Sequence, residues 1–208
     1  MAEPKAVAEA AEEVAPGVWR WGVANERIGG AESTAHAVIG SDGVVLVDPV
    51  RLAPRALAPL GEVTAILLTA QCHQRSAWRY RREFGAPVWA PEGTRPMEEE
   101  PDERYRAGEL LPGGLRAVHT PGPEEVHFSF LRAGQPGVLF CSDLLTNYGG
   151  RGLDFVPLKY HDDPAQTRRT VEGFLELDFE VLCLDHGTAL AADPKAEIQA
   201  LLARTAPA

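Results

Sequence analysis

The sequence lacks the features of membrane, secreted and nucleic-acid-binding proteins. No apolar run approaches the roughly 18 residues that a membrane span needs, and residues 1–15 contain no hydrophobic segment of a secretory signal. The three cysteines are odd in number and far apart, which argues against a disulfide framework and fits a reducing compartment. The net charge is -10 and no Lys/Arg cluster is present. We therefore expect a cytoplasmic protein without nucleic-acid or membrane partners.

The composition is that of a globular chain with a substantial core. Its 208 residues suit one domain of ordinary size, and 45% of them are hydrophobic. The first residues are rich in Ala and Glu, which predicts a flexible N-terminal tail over residues 1–15. No repeat, linker or low-complexity stretch divides the remainder, so residues 16–208 are expected to form a single domain.

Hydrophobic patterning predicts a strand-rich first half, followed by strands with interspersed helices. The predicted strands are 18–23, 33–39, 44–47, 63–68, 88–90, 115–119, 126–131, 138–141 and 181–184. Helices are predicted at 54–60, 76–84, 167–175 and 194–203, and the acidic stretch 97–103 is expected to be a loop. This order suits a β-sandwich flanked by helices.

Several segments end a predicted strand with residues that carry chemistry. They are Val44 to Asp48, Ile66 to Arg75, the His119-Thr120-Pro121-Gly122-Pro123 turn, Leu139 to Asp143, and Leu184 to Gly187. Their order and spacing resemble the metallo-β-lactamase superfamily from about Gly17 to His186. The resemblance implies an α/β fold: an αββα sandwich of two mixed β-sheets flanked by helices. It also implies a hydrolase-like site at the strand ends, which in the family holds two metal ions and the hydroxide that attacks the substrate.

Most family ligand positions carry other residues in this chain. The family loop reads His-x-His-x-Asp-His, and a further His follows Pro-Gly. The corresponding residues here are Ala70, Cys72, Gln74, Arg75 and Pro123. The bridging Asp and the last His of the family are matched by Asp143 and His186. We therefore predict that no dinuclear metal site exists, because two metals need about seven good ligands.

Three further residues are candidates whose roles the sequence leaves open. Cys72 is either a thiolate ligand or a small buried residue that fills an empty ligand position. His73 falls on a non-ligand position of the family but can be recruited as a ligand. His127 lies on a predicted strand that borders the site, and its side chain faces either the cleft or the other way. Among the remaining residues, His119 is expected to pack under the Pro-Gly turn, His36 to be a satisfied core histidine and Asp185 to face away from the cleft.

Arg75 stands where the family has a ligand of the second metal. A guanidinium cannot be deprotonated and so cannot bind a metal, but it can supply positive charge. A buried Asp143 without metal or partner would be costly. The sequence therefore predicts that Arg75 reaches toward Asp143 or His186 and occupies part of the vacated site, and a pair with Asp143 would balance the charge of that carboxylate.

The sequence is compatible with three functions, and it does not decide whether the protein is an enzyme. The first is a metal-free pseudoenzyme or small-molecule-binding relative without a cofactor, supported by the lost ligands. The second is a hydrolase with one Zn or Fe ion held by Cys72, Asp143 and His186. The third is a metal-independent hydrolase that uses Cys72 or His73 as nucleophile or base. The cleft candidates common to all three are Cys72, His73, Arg75, His127, Asp143 and His186.

Overall fold

A computed structural model of the chain describes residues 3–149 and 152–206. Its strands, in chain order, are β1 (Glu12–Ala15), β2 (Val18–Ala24), β3 (Glu32–Gly40), β4 (Gly43–Val47), β5 (Val63–Leu67), β6 (Val88–Pro91), β7 (Glu103–Tyr105), β8 (Leu110–Leu111), β9 (Leu115–His119), β10 (Phe128–Arg132), β11 (Val138–Phe140), β12 (Leu145–Asn147), β13 (Asp154–Phe155), β14 (Val181–Cys183) and β15 (His186–Gly187). The α-helices are α1 (Pro54–Leu57), α2 (Ala77–Phe84), α3 (Pro164–Gly173) and α4 (Pro194–Arg204).

Two mixed sheets carry the architecture. The larger runs β1-β2-β3-β4-β5-β6-β7, antiparallel up to β4 and parallel from β4 to β7. The other runs β14-β11-β10-β9-β8, with β14 parallel to β11 and the other neighbours antiparallel. Strands β13, β12 and β15 form a small third sheet, which the sequence did not predict. These short strands have too few residues to show a periodic pattern.

The alternation of side chains along the strands explains the layers. On β4, Val44 and Leu46 pack on the side of α1 and α2, whereas Val45 and Val47 point between the two sheets. On the outer face of the second sheet, Leu139 packs in a third hydrophobic cluster, which contains residues of α3 and α4. The predicted αββα sandwich with helices on both outer faces is therefore confirmed.

The predicted flexible tail is wrong for its last residues. Glu12–Ala15 pair with β2 and extend the larger sheet, and further upstream the Ala8 amide donates to the Arg51 carbonyl at 2.9 Å. The small and acidic residues of this edge strand show no alternating apolar pattern, so the sequence did not predict it. Backbone hydrogen bonds to β2 hold it in place. Residues 1 and 2 of the predicted tail lie outside the described residues. In the part of the chain that the structure describes, no helix has the length and apolar character to cross a bilayer.

His36 on β3 is a buried polar residue of the core without hydrogen-bond partners among the described residues. The prediction of a satisfied histidine is therefore wrong. The ring packs edge-on against Phe140 with centroids 5.2 Å apart. Burial, aided by the charge of Arg20, lowers the pKa of His36 to about 3.

We predict that His36→Phe makes the protein less sensitive to acid. The unfolded chain binds a proton at this residue near pH 6.5, whereas the folded chain binds it only near pH 3. The stability that the neutral ring contributes is therefore present above pH 6.5 and lost as the pH falls below it. At pH 4.5 this loss is about 3 kcal/mol.

Urea unfolding of both proteins at pH 7.5 and pH 4.5 measures the effect. The gain in unfolding free energy from His36→Phe should be about 2–3 kcal/mol larger at pH 4.5, whatever the packing cost of the Phe ring. An equal gain or loss at both pH values would refute this account of His36.

Candidate functional site

The candidate residues meet at one edge of the sandwich, where strands end. The loop after β5 carries Cys72 and His73, the turn after β11 carries Asp143, and His186 begins β15 just beyond β14. Asp48 follows β4 and joins this edge to the β5 loop, since its carboxylate accepts from the Thr69 amide at 2.9 Å and from the Thr69 hydroxyl. Strand ends on two sheets therefore supply the cleft, as loop-borne sites on rigid scaffolds do.

Backbone strain is concentrated around the same residues. Four non-glycine residues of the described chain have positive φ, and three of them border the site: Asp48 at 46°, Arg75 at 35° and Ser142 at 55°. Such conformations cost energy for side chains with a Cβ and persist only where the surrounding contacts hold them. The turns are therefore held in shape for the placement of these side chains.

The Asp143 carboxylate lies between two histidines. Its Oδ1 is 2.9 Å from His186 Nε2, and its Oδ2 is 2.9 Å from His73 Nε2. Burial would raise the pKa of Asp143, but the charges and hydrogen bonds of His73 and His186 hold it well below its usual value. Burial likewise opposes protonation of His73, whose pKa is nevertheless raised well above its ordinary value by the charge of Asp143.

Three imidazoles use Nδ1 for hydrogen bonds to the protein. His186 Nδ1 donates to the Glu32 carbonyl oxygen at 2.6 Å, and His127 Nδ1 donates to the Thr120 carbonyl oxygen at 2.8 Å. His73 Nδ1 lies 3.1 Å from Asp48 Oδ2. Each ring therefore leaves Nε2 for other partners, which is how histidine ligands are oriented in metal sites.

His127 differs from the other two because its Nε2 is buried without a hydrogen-bond partner among the described residues. Burial lowers the pKa of His127 to about 4, so the ring is neutral at pH 7 and Nε2 carries a lone pair. The sequence left the orientation of His127 open. In the structure His127 faces the cleft, which it lines together with Asp143 and Cys72.

The cleft has a volume of about 220 Å³. Of the six predicted cleft residues, Cys72, His127 and Asp143 line it, whereas His73, Arg75 and His186 lie behind these walls. The other lining residues are Arg95, Pro123, Glu124, Tyr160 and Asp162. Sequence reasoning missed Glu124, although its position directly after Pro123 was a usable signal. Glu124 Oε1 is 3.5 Å from Cys72 Sγ, and burial raises the pKa of the Glu124 carboxyl.

Cys72 lies beside the central carboxylate. Its Sγ is 3.9 Å from Asp143 Oδ2, and donor atoms of Cys72, His73 and Asp143 all lie within 4.8 Å of one another. Burial raises the pKa of the Cys72 thiol. The three donors come from two loops on different sheets, so the fold itself brings them together.

The predicted pair of Arg75 with Asp143 is wrong. Arg75 Nη2 donates to Asp185 Oδ2 at 3.0 Å, and Nη1 donates to the carbonyl oxygens of Thr34 at 2.8 Å and Asp48 at 3.1 Å. Asp185, which was expected to face away from the cleft, does not line it and lies buried behind the site, where it pairs with Arg75. Both oxygens of Asp143 are taken by histidines, and the left-handed turn at Arg75 directs its guanidinium to the buried Asp185 instead.

Gln74, at the position of the family's Asp ligand, is engaged elsewhere. Its Oε1 accepts from the Glu98 amide at 2.7 Å and from Trp78 Nε1 at 3.0 Å, and its Nε2 donates to the Gln71 carbonyl oxygen. The side chain therefore fastens the 92–100 loop, which carries Arg95, against the loop after β5.

Solved metallo-β-lactamase structures share this architecture. A metallo-β-lactamase family protein from Thermus thermophilus matches with a TM-score of 0.68 at 21% identity, covering 92% of this chain and 80% of that one. The metallo-β-lactamase DIM-1 matches with a TM-score of 0.73 at 14% identity, covering 97% and 99%. An archaeal metallo-β-lactamase superfamily protein from Sulfolobus tokodaii matches with a TM-score of 0.61 at 16% identity, covering 85% and 81%.

No protein-family model matches the chain, and no curated protein matches it. At such low identities the structural likeness establishes the fold and not the activity. The chain therefore has the metallo-β-lactamase fold, as the sequence segments predicted.

We predict that Gly122→Ala destabilises the cleft wall that holds Glu124. Gly122 has φ of +138°, and a Cβ there would meet the Thr167 backbone nitrogen at 2.6 Å. Gly85→Ala is the matched control, because Gly85 also has positive φ, +66°, but no atom within 4 Å of the added Cβ. Both variants carry the strain of an L-residue at positive φ, which is about 1–3 kcal/mol.

Only Gly122→Ala adds a backbone collision. Its unfolding free energy in urea should therefore fall by at least about 2 kcal/mol more than that of Gly85→Ala. Equal losses would show that the turn after β9 is free to move away from α3.

Proposed function

Starting from a chain with the metallo-β-lactamase fold, we propose that this protein is a hydrolase that works with one divalent metal ion, zinc or iron, held by Cys72, His73 and Asp143. His186 holds Asp143 in place from its other oxygen. This ligand set differs from the sequence hypothesis in one member, because His73 takes the role first given to His186.

The observation that carries the proposal is the convergence of donor atoms on Asp143 Oδ2. His73 Nε2 and Cys72 Sγ both lie beside this oxygen. Imidazole, thiolate and carboxylate are the donors that zinc takes in proteins, and catalytic zinc sites use three protein ligands with one open position. His73 has the backing of an Asp48 carboxylate on Nδ1, as zinc-bound histidines do.

The buried charges favour a divalent ion at this place. Asp48, Asp143 and Asp185 are buried or partly buried together with one permanent cation, Arg75. The charge of Asp143 raises the pKa of His73 although burial opposes this, so the group attracts further positive charge. A metal bound by Cys72 and His73 would take the place of protons on these two side chains.

The chain's own groups define what happens in the cleft. A bound divalent ion would supply Lewis acidity and would lower the pKa of a water molecule to about 7. His127 Nε2 is a buried, neutral hydrogen-bond acceptor beside the cleft and has no partner among the described residues. Arg95 and Asp162 at the walls favour a small polar substrate.

The metal-free binding protein is a second candidate, favoured by one observation. His73 and His186 satisfy both oxygens of Asp143 by hydrogen bonds alone. The third hypothesis, a Cys72 nucleophile, gains no support, because burial raises the pKa of the thiol and a reactive cysteine needs a lowered one.

Elemental analysis of protein purified without chelator distinguishes these candidates. We expect one zinc or iron ion per chain and its loss in His73→Asn. His119→Asn is the control, because His119 is exposed and its Nε2 meets only the Glu125 carbonyl oxygen among the described residues. Metal-free wild-type protein after growth with added zinc and iron would favour the binding protein, and two ions per chain would contradict the single site.

A further inference from the structure

We propose that Arg75 acts as a fixed internal cation that limits the site to one divalent ion. The inference rests on the proposed single-metal function and adds what sets the metal stoichiometry. A second group of potential ligands lies beneath the first. The permanent positive charge of Arg75 stands where a second cation would bind.

That second group consists of Asp48, His73 and Asp185. All three are buried, and donor atoms of the three lie within 4.8 Å of one another. His73 Nδ1 is 3.1 Å from Asp48 Oδ2 and 3.3 Å from Asp185 Oδ2. Two carboxylates and an imidazole at such distances have the chemistry of a cation site.

The guanidinium of Arg75 supplies the positive charge that the carboxylates of Asp48 and Asp185 require. Arg75 is 5% exposed, and its Nη2 lies 3.0 Å from Asp185 Oδ2 while its Nη1 donates to the Asp48 carbonyl oxygen. It therefore contacts both acidic residues of the group, one through the side chain and one through the backbone. A guanidinium stays charged and offers no lone pair, so it neutralises the carboxylates without becoming a metal ligand.

Arg75 also keeps His73 available to the upper site. While Asp185 is paired with Arg75 and Asp48 with Thr69, both carboxylates remain as acceptors for Nδ1 and hold the ring with Nε2 toward Asp143. Removal of the guanidinium alone leaves an uncompensated carboxylate beside His73 Nδ1. A second divalent ion would then replace the Nδ1 proton, which is released to solvent, so that His73 would bridge the two ions as an imidazolate.

The test is a Co²⁺ titration of chelator-treated protein, with bound cobalt measured by elemental analysis and thiolate ligation by absorbance. The variants are Arg75→Gln, Asp185→Asn and the double variant that removes both charges. Arg20→Gln is the matched control, because Arg20 is also largely buried and paired with the side chains of two acids, Glu12 and Glu32. It contacts the site only at one remove, since the backbone oxygen of Glu32, not its side chain, accepts from His186.

We expect wild type, Arg20→Gln and the double variant to bind one Co²⁺ per chain. Arg75→Gln should bind two, with no added thiolate absorbance, because the second ion has no cysteine ligand. Asp185→Asn should bind Co²⁺ at least about tenfold more weakly, because Arg75 is then uncompensated beside the metal. The double variant should recover affinity to within about threefold of wild type.

Two results would overturn the inference while the proposed function stands. One is a single Co²⁺ in a folded Arg75→Gln with the affinity of wild type, and the other is a double variant as weak as Asp185→Asn. If Arg75→Gln does not fold, the comparison of Asp185→Asn with the double variant decides. Wild-type protein that binds no Co²⁺ would instead refute the proposed function, and the inference would fall with it.

Discussion

The buried carboxylate of Asp143 is the constraint on which the rest of the cleft depends. An ionised carboxylate away from water needs positive charge or several hydrogen bonds around it. His73 and His186 each approach one oxygen at 2.9 Å, and each ring fixes its other nitrogen on the protein behind it. Asp48, Thr69 and the Glu32 carbonyl oxygen therefore shape the cleft without lining it. Either protons on the imidazoles or one metal ion completes the charge.

Gln74 and Arg75, which the sequence comparison set against metal ligands, both make defined contacts in this structure. Gln74 accepts a hydrogen bond from the 92–100 loop and holds it in place, and Arg75 pairs with Asp185 beneath the cleft. His73, at a family position that is not a ligand, is turned toward Asp143. The site thus contains a thiol, an imidazole and a carboxylate whose donor atoms lie within 4.8 Å of one another.

The fold and the meeting of Asp143 with His186 were predictable from the sequence, because strand periodicity and ordered strand-end segments both survive in it. The partner of Arg75 was not. Its direction depends on a left-handed backbone at Arg75 itself, which no residue type at that position signals. Asp185 lies behind the cleft as expected, but nothing in the sequence signalled that it would be the partner of Arg75. Glu124 reaches the cleft from a loop and Tyr160 from a 3-10 helix of three residues, and segments of this kind show no periodic sequence pattern.

X-ray absorption at the zinc edge of the zinc-loaded protein tests the central claim most directly, because it counts ligands by element. The account predicts one sulfur at about 2.3 Å, from Cys72, with nitrogen and oxygen ligands at about 2.0–2.2 Å. It predicts no metal–metal scattering at about 3.5–4 Å. A shell without sulfur, a metal–metal distance in that range, or protein that retains no zinc would contradict it.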